Sequence, residues 1–208
     1  MRVRSGGGQR GMSMVELAVV VAIMSLVMII AIPQIVGARR NMRASAGPAE
    51  VKAQLRYARQ QAMGLKRAVT FQYDTVAREI NVIQHNGAGA GVFAAGNYPR
   101  TPGSTLLRTI PLATGGVAPD EIVYGLPPGA SAAPLADTTT LTAPANNQIN
   151  ITFQPDGSVI DAAGGTANFA MMFYHPDYAE ATARAVSVLG ATGRVKLWRF
   201  TDVQTWVE

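Results

Sequence analysis

From Leu17 to Ala38 the chain runs for 22 residues without an ionisable side chain, and basic residues bound the run at both ends. Arg2, Arg4 and Arg10 lie ahead of it, and Arg39, Arg40 and Arg43 follow. At about 1.5 Å per residue, such a helix would measure roughly 33 Å, enough to cross the hydrocarbon core of a bilayer. Its Leu, Val, Ile, Met and Ala residues fall on every face, so no polar stripe is left to meet water, and a core helix of a soluble domain fits poorly. A secretory signal is the nearer alternative. It would have a shorter apolar region and a small-residue cleavage site, whereas this run continues to Val36 and meets Arg39 and Arg40 with no Ala-x-Ala pattern at its end. The segment is therefore read as membrane-spanning. Three arginines on either side leave its orientation undecided by charge counting.

The same arginines qualify the net charge. The chain carries +5, and loss of Arg2, Arg4 and Arg10 would leave +2, so the basic balance says little about partners in solution. A hydrophobic content of 48% with 15% charged residues excludes general disorder, and 208 residues suffice for one packed domain. The chain has no Cys, which removes disulfides, zinc-thiolate sites and thiol nucleophiles from consideration.

Two residues are physically out of place in an apolar helix. Glu16 stands at its start, where an unpaired carboxylate in hydrocarbon costs about 2.5–3.5 kcal/mol, so it must either sit at the interface or meet a cation. Pro33 lacks an amide donor and should bend or locally open the helix near its exit.

Past Gly47-Pro48, which interrupts the helix or is absorbed as a kink, Val51, Leu55, Ala58, Ala62 and Leu65 recur at steps of four and three. They form the apolar stripe of a helix packed on a globular domain, with Lys52, Arg56 and Arg59 largely off it and solvated. Val69, Phe71 and Tyr73 then alternate with polar residues, Ile80 and Val82 resume after Asp74 to Arg78, and a hairpin results. Ile149, Ile151 and Phe153 alternate ahead of the turn sequence Gln154-Pro155-Asp156-Gly157-Ser158. Phe169 to Tyr174, Arg184 to Leu189 and Arg194 to Phe200 are further strands. Between the hairpin and Ile149, residues 86–147 turn to Gly, Ala, Pro and Thr, with weak strand signals at Thr105 to Leu112 and Glu121 to Leu126. Insertions of this length are functional or mobile, and composition does not choose.

The stretch Gly11-Met12-Ser13-Met14-Val15-Glu16-Leu17, followed by an apolar run and Pro33, resembles the N-terminus of type IV pilins and type II secretion pseudopilins. The resemblance implies cleavage after Gly11 by a prepilin peptidase and N-methylation of Met12, which stands where the family more often has Phe. Counted from Met12, Glu16 is fifth and Pro33 twenty-second, as in the family. Glu16 would then pair with the mature amino terminus of a neighbouring subunit, giving two groups that are costly alone in lipid a partner in each other. Downstream, Leu55-Arg56-Tyr57-Ala58-Arg59-Gln60-Gln61-Ala62, Val69-Thr70-Phe71, Ile151-Thr152-Phe153-Gln154-Pro155-Asp156-Gly157 and Gly193-Arg194-Val195 together resemble the H-type minor pseudopilins and T-type minor pilins, the GspH/FimT group.

Chemistry beyond assembly finds little support. His85 and His175 lack a second ligand at metal spacing, and His175-Pro176-Asp177 is a turn signal. Asp156 and Asp161 are too few for a calcium loop. Gly6 to Gly8 and Gly87 to Gly91 lack the ending of a phosphate loop, and Ser104 and Ser131 lack a nucleophile elbow. No enzyme, cofactor or metal is expected. On the last long strand Arg194, Lys196 and Trp198 should share a face, with Val195 and Leu197 on the other. With Arg199 they form a candidate DNA contact, set against an ordinary amphipathic sheet face. The T-type minor pilins act in DNA uptake through a Gly-Arg-x-Arg element, and Lys196 stands here at its last place, keeping the charge without the planar fork.

The expectation is an α+β, pilin-like chain: a leader at 1–11, a transmembrane and assembly helix at 12–38, its amphipathic continuation at 39–66 and a β-rich domain at 67–208. The domain would be an antiparallel sheet or sandwich packed on the long helix. The resemblance implies a minor pseudopilin of a type II secretion system, held in the inner membrane with its C-terminal domain in the periplasm and assembling with other pseudopilins. The alternative is a T-type minor pilin that assembles pili or contacts DNA.

Overall fold

The computed structural model describes residues 13–86, 104–112, 122–129, 135–161, 165–201 and 206–208, with side chains at 30, 32–41, 43, 44 and 180 outside the description. Gly11 and Met12 therefore lie outside the described residues, as do 87–103, 113–121 and 130–134 of the Gly- and Ala-rich stretch. The chain divides into two units, 1–40 and 41–208.

In the first unit, helix α1 (Met14–Leu65) starts at Ser13, whose Oγ accepts from the Val15 amide at 3.4 Å while its carbonyl accepts from Leu17 at 3.0 Å. Ser13 and Glu16 thus occupy the first and last places of a capping-box sequence, where the helix dipole favours a carboxylate. From Met14 to Ile29 twelve large apolar side chains are exposed, several of them consecutive and so on every side of the helix. The hydroxyl of Ser25 bonds back to the Val21 carbonyl at 2.8 Å, which satisfies it within the helix. The helix continues through position 33, so Pro33 does not end it. Among the described residues no helix is long and apolar enough to cross a membrane. The expected span Leu17 to Ala38 extends past those residues, since the side chains at 32–38 lie outside them.

In the second unit α1 runs through Gly47 and Pro48, both buried, and its apolar stripe is completely enclosed at Val51, Leu55, Ala58 and Ala62. Leu65, expected to complete the stripe, is instead 43% exposed. The helix ends there because Lys66 adopts a left-handed φ of 51° and the Arg67 amide reaches back to the Ala62 carbonyl at 3.2 Å, a closing pattern more often built on glycine.

Among the described residues ten strands follow: β1 (Val69–Asp74), β2 (Glu79–Gln84), β3 (Thr105–Pro111), β4 (Val123–Tyr124), β5 (Gln148–Phe153), β6 (Val159–Ile160), β7 (Phe169–Tyr174), β8 (Arg184–Leu189), β9 (Arg194–Phe200) and β10 (Trp206–Val207), with helix α2 (Ala179–Thr182) between β7 and β8. They form two antiparallel sheets, ordered β3-β2-β1-β5-β6 and β10-β9-β8-β7-β4. The architecture is α+β, as the sequence predicts. The β1–β2 hairpin closes where Asp74 Oδ1 accepts from the amides of Val76 and Ala77 at 2.9 and 2.8 Å. The expected insertion contributes β3 and β4 as edge strands, one to each sheet, and buries Leu112, Ile122 and Leu135.

The main core draws Leu55 and Ala58 from α1, Phe71 and Ile151 from the first sheet, and Phe173 and Val186 from the second. A second cluster, with Ala170, Met172, Trp198, Phe200, Trp206 and Leu135, covers the other face of the second sheet. That sheet is thus buried on both sides, which is why Phe169 to Tyr174 reads as a continuous apolar run.

Candidate functional site

A cleft of about 520 Å³ opens between α1 and β9, lined from the helix by Lys52, Arg56, Arg59 and Gln60 and from the sheet by Gly193 to Leu197, with Glu208 beside them. Lys52, Arg56 and Arg59 are spaced by four and three, which places their side chains over one another along one helix face, adjoining the buried stripe. Lys52 and Arg59 are half-buried and Arg56 is exposed. Five cations therefore converge on the cleft with one carboxylate.

The turn into β9 fixes the sheet side. Gly193 sits at φ 60°, and a Cβ there would fall 2.0 Å from the carbonyl oxygen of Gly157 and 2.8 Å from Arg59 Nε, so only glycine fits. Gly157, at φ 84° in the β5–β6 turn, offers that carbonyl to Arg59 Nε at 3.3 Å. Three short motifs far apart in sequence thereby meet at one guanidinium.

Lys196 Nζ donates to Glu208 Oε2 at 2.6 Å, and Arg194 approaches the other carboxylate oxygen at 3.7 Å. The Lys196 hydrogen bond holds the Glu208 carboxyl below the usual carboxylate range, with the charges of Lys196, Arg194 and Lys52 adding to it. Lys196 is only 15% exposed in its side chain, whereas Arg194 is 64% exposed.

Arg194, Lys196 and Trp198 share a face of β9 as expected, but Trp198 belongs to the second core cluster and is 3% exposed. Its Nε1 donates to Ser187 Oγ at 2.8 Å, and Ser187 donates in turn to Asp137 Oδ2 at 2.5 Å. Lys196 lies 4.9 Å above the ring. The indole is a buried anchor and offers no free face for a base to stack on. Arg199 falls on the opposite parity of the strand, exposed and paired in register with Arg184, and it does not line the cleft. Burial and then the Arg199 charge lower the pKa of Arg184. Of the candidate DNA residues, then, Arg194 and Lys196 are brought together and Arg199 is set apart. The helix cations Lys52, Arg56 and Arg59, read from sequence as merely solvated, join the first two.

Elsewhere, His85 is buried in a polar chain on the first sheet: its Nε2 lies 2.7 Å from Thr70 Oγ1, which lies 2.8 Å from Thr152 Oγ1. Burial lowers its pKa. His175 Nδ1 accepts from the Asp177 amide at 3.2 Å, the expected turn, and Asp156 accepts from the Ser158 amide and hydroxyl at 2.8 and 2.6 Å. Among the described residues no cluster of His, Asp and Glu could hold a metal ion. A smaller cavity of about 200 Å³ is lined in part by Tyr73 and Tyr124, which stack edge-on with Phe173 at 5.6 Å. Burial pushes the Tyr73 phenol up to about 12 and raises Tyr124 as well. Ser131 lies outside the described residues.

No protein-family model matches the chain, and no curated protein does. Among solved structures it is similar to the Pseudomonas aeruginosa type IV minor pilin FimU in one crystal form, at 17% identity and a TM-score of 0.45 over 82% of this chain and 96% of that one. A second crystal form of FimU matches at 16% identity and a TM-score of 0.42, over 79% of this chain and 96% of that one.

Proposed function

We propose that this chain is a pilin-like filament subunit whose N-terminal helix is stored in the inner membrane and then built into a filament after cleavage at Gly11. The observation that carries the reading is the exposed apolar surface of α1 from Met14 to Ile29, headed by Glu16. Side chains apolar on every side of a helix demand lipid or other helices as solvent, and an acid at the head of such a helix needs a cation. Cleavage between Gly11 and Met12 would create an amine four residues before Glu16, and on a neighbouring subunit that amine supplies the cation. Pro33 would adjust the helix within the packed assembly. In this reading the two sheets form a sandwich-like domain, and prepilin peptidase is the processing partner.

Within that class, a minor pseudopilin of a type II secretion system is the first assignment. The burial of Trp198 favours it over a DNA-contacting T-type pilin, because the strand face then lacks the exposed ring that nucleic-acid stacking uses. The cations at Arg194 and Lys196 keep the second assignment in view.

The test is the mass of the N-terminus after co-expression with a prepilin peptidase. A product beginning at methylated Met12 is expected, and an intact leader or cleavage after Val36 would overturn the reading. Loss of protein export on gene deletion, with DNA uptake intact, is the outcome expected of the pseudopilin, and the reverse pattern would transfer the assignment.

A further inference from the structure

We propose that the cleft between α1 and β9 takes an extended acidic segment of a partner protein, added as a strand alongside β9. β10 pairs with β9 only at Phe200 and Arg199, and among the described residues no strand pairs with Arg194 to Trp198 on that side. The Phe200 amide bonds to the Ala183 carbonyl at 3.2 Å, toward β8. By strand alternation the peptide groups of Val195 and Leu197 therefore face the opposite edge, and both residues line the cleft. An open edge with free space beside it is the geometry that strand addition uses.

The chemistry of the occupant follows from the walls. Lys52, Arg56 and Arg59 line the helix side, and Arg194 and Lys196 the strand side. The cleft already holds one carboxylate, that of Glu208 at 2.6 Å from Lys196, lying just past the last paired residue of β10. Glu208 shows how a side-chain acid on a strand running along this edge is received. Arg56 and Lys52 lie further along the same groove, ready for additional acids. A nucleic acid is disfavoured because no aromatic ring lines the cleft and Trp198 is buried. The proposal goes beyond the filament reading and depends on neither leader cleavage nor assembly.

The test uses the full chain in detergent and three labelled probes read by fluorescence anisotropy: a short peptide alternating Glu and Thr, the same peptide N-methylated at every amide, and a mixed-sequence single-stranded oligonucleotide. The acidic peptide should bind in a salt-sensitive manner, and Arg56→Ser and Arg194→Ser should each weaken it about three- to tenfold. Arg56 is exposed, so its replacement leaves the fold intact and a loss there reports the cleft. Glu208→Gln, which frees Lys196 and Arg194, should tighten binding by a similar factor. Equal affinity for the N-methylated peptide would overturn strand addition. An oligonucleotide that binds more tightly and displaces the peptide would overturn the acidic-segment assignment, and absence of peptide binding in both wild type and Glu208→Gln would sink the proposal.

Discussion

Arg59 Nε donates to the carbonyl oxygen of Gly157 at 3.3 Å, joining the C-terminal part of the long helix to the β5–β6 turn 98 positions away in sequence. Gly193 closes over the same pair, so the helix, the turn and the start of β9 are locked at one point beside the cleft.

Gly193→Ala should therefore destabilise the domain by about 2–4 kcal/mol, from a left-handed backbone and a Cβ driven into the Gly157 carbonyl. Gly64→Ala is the contrast: it lies in α1 with open space around it and should stabilise by about 0.5–1 kcal/mol. Paired thermal melts check both signs.

Leu55→Ala empties a wholly buried position shared by the helix and the sheets and should cost about 2–5 kcal/mol. Leu65→Ala, nearly three turns later in the same stripe, should change stability by less than about 0.5 kcal/mol, because that side chain is out of the core. Urea titrations of the two variants would separate the read periodicity from the real one.

Trp198→Phe keeps a ring in the second cluster but strips Ser187 of a hydrogen bond, and should cost about 1–3 kcal/mol. Nucleic-acid binding, where any is measured, should be unaffected by this change beyond the loss of fold. A selective drop in DNA affinity with the fold intact would show the indole to be a contact residue after all.

His85 makes the domain acid-sensitive near neutrality. Its folded pKa lies below the ordinary 6.5, so the unfolded chain takes up the proton first. The stabilisation is whole above that value and drains away as pH falls through and below it. Melting temperature should decline from pH 7 toward 5, and His85→Gln should flatten that limb; an unchanged slope would remove His85 as its source.

Much of the strand pattern was legible because alternation is local: Val69 to Tyr73 and Ile149 to Phe153 show it directly, and the turn chemistry of Asp74 and Asp156 marks where those strands end. The helix stripe was legible as far as Ala62. Leu65 falls outside the core because the periodicity continues after packing stops, and nothing in the spacing announces that Lys66 will adopt a left-handed φ. β3 and β4 were weakly signalled because edge strands owe their existence to the sheet they join more than to their own residues. For the site, Arg194 and Lys196 were found from one strand's alternation, but Lys52, Arg56 and Arg59 looked like an ordinary solvated helix face. Glu208 gave no signal at all.

By itself the sequence determined the apolar helix with its acid at the head, the hairpins and the α+β class, since each follows from side-chain period and turn chemistry within a few residues. Only the tertiary structure decided that Trp198 is buried, that Arg199 stands apart from Lys196, and that α1 and β9 form one basic cleft. Those outcomes depend on which faces of distant elements meet, and a contact between residues 59 and 157 is set by the packing of the whole core.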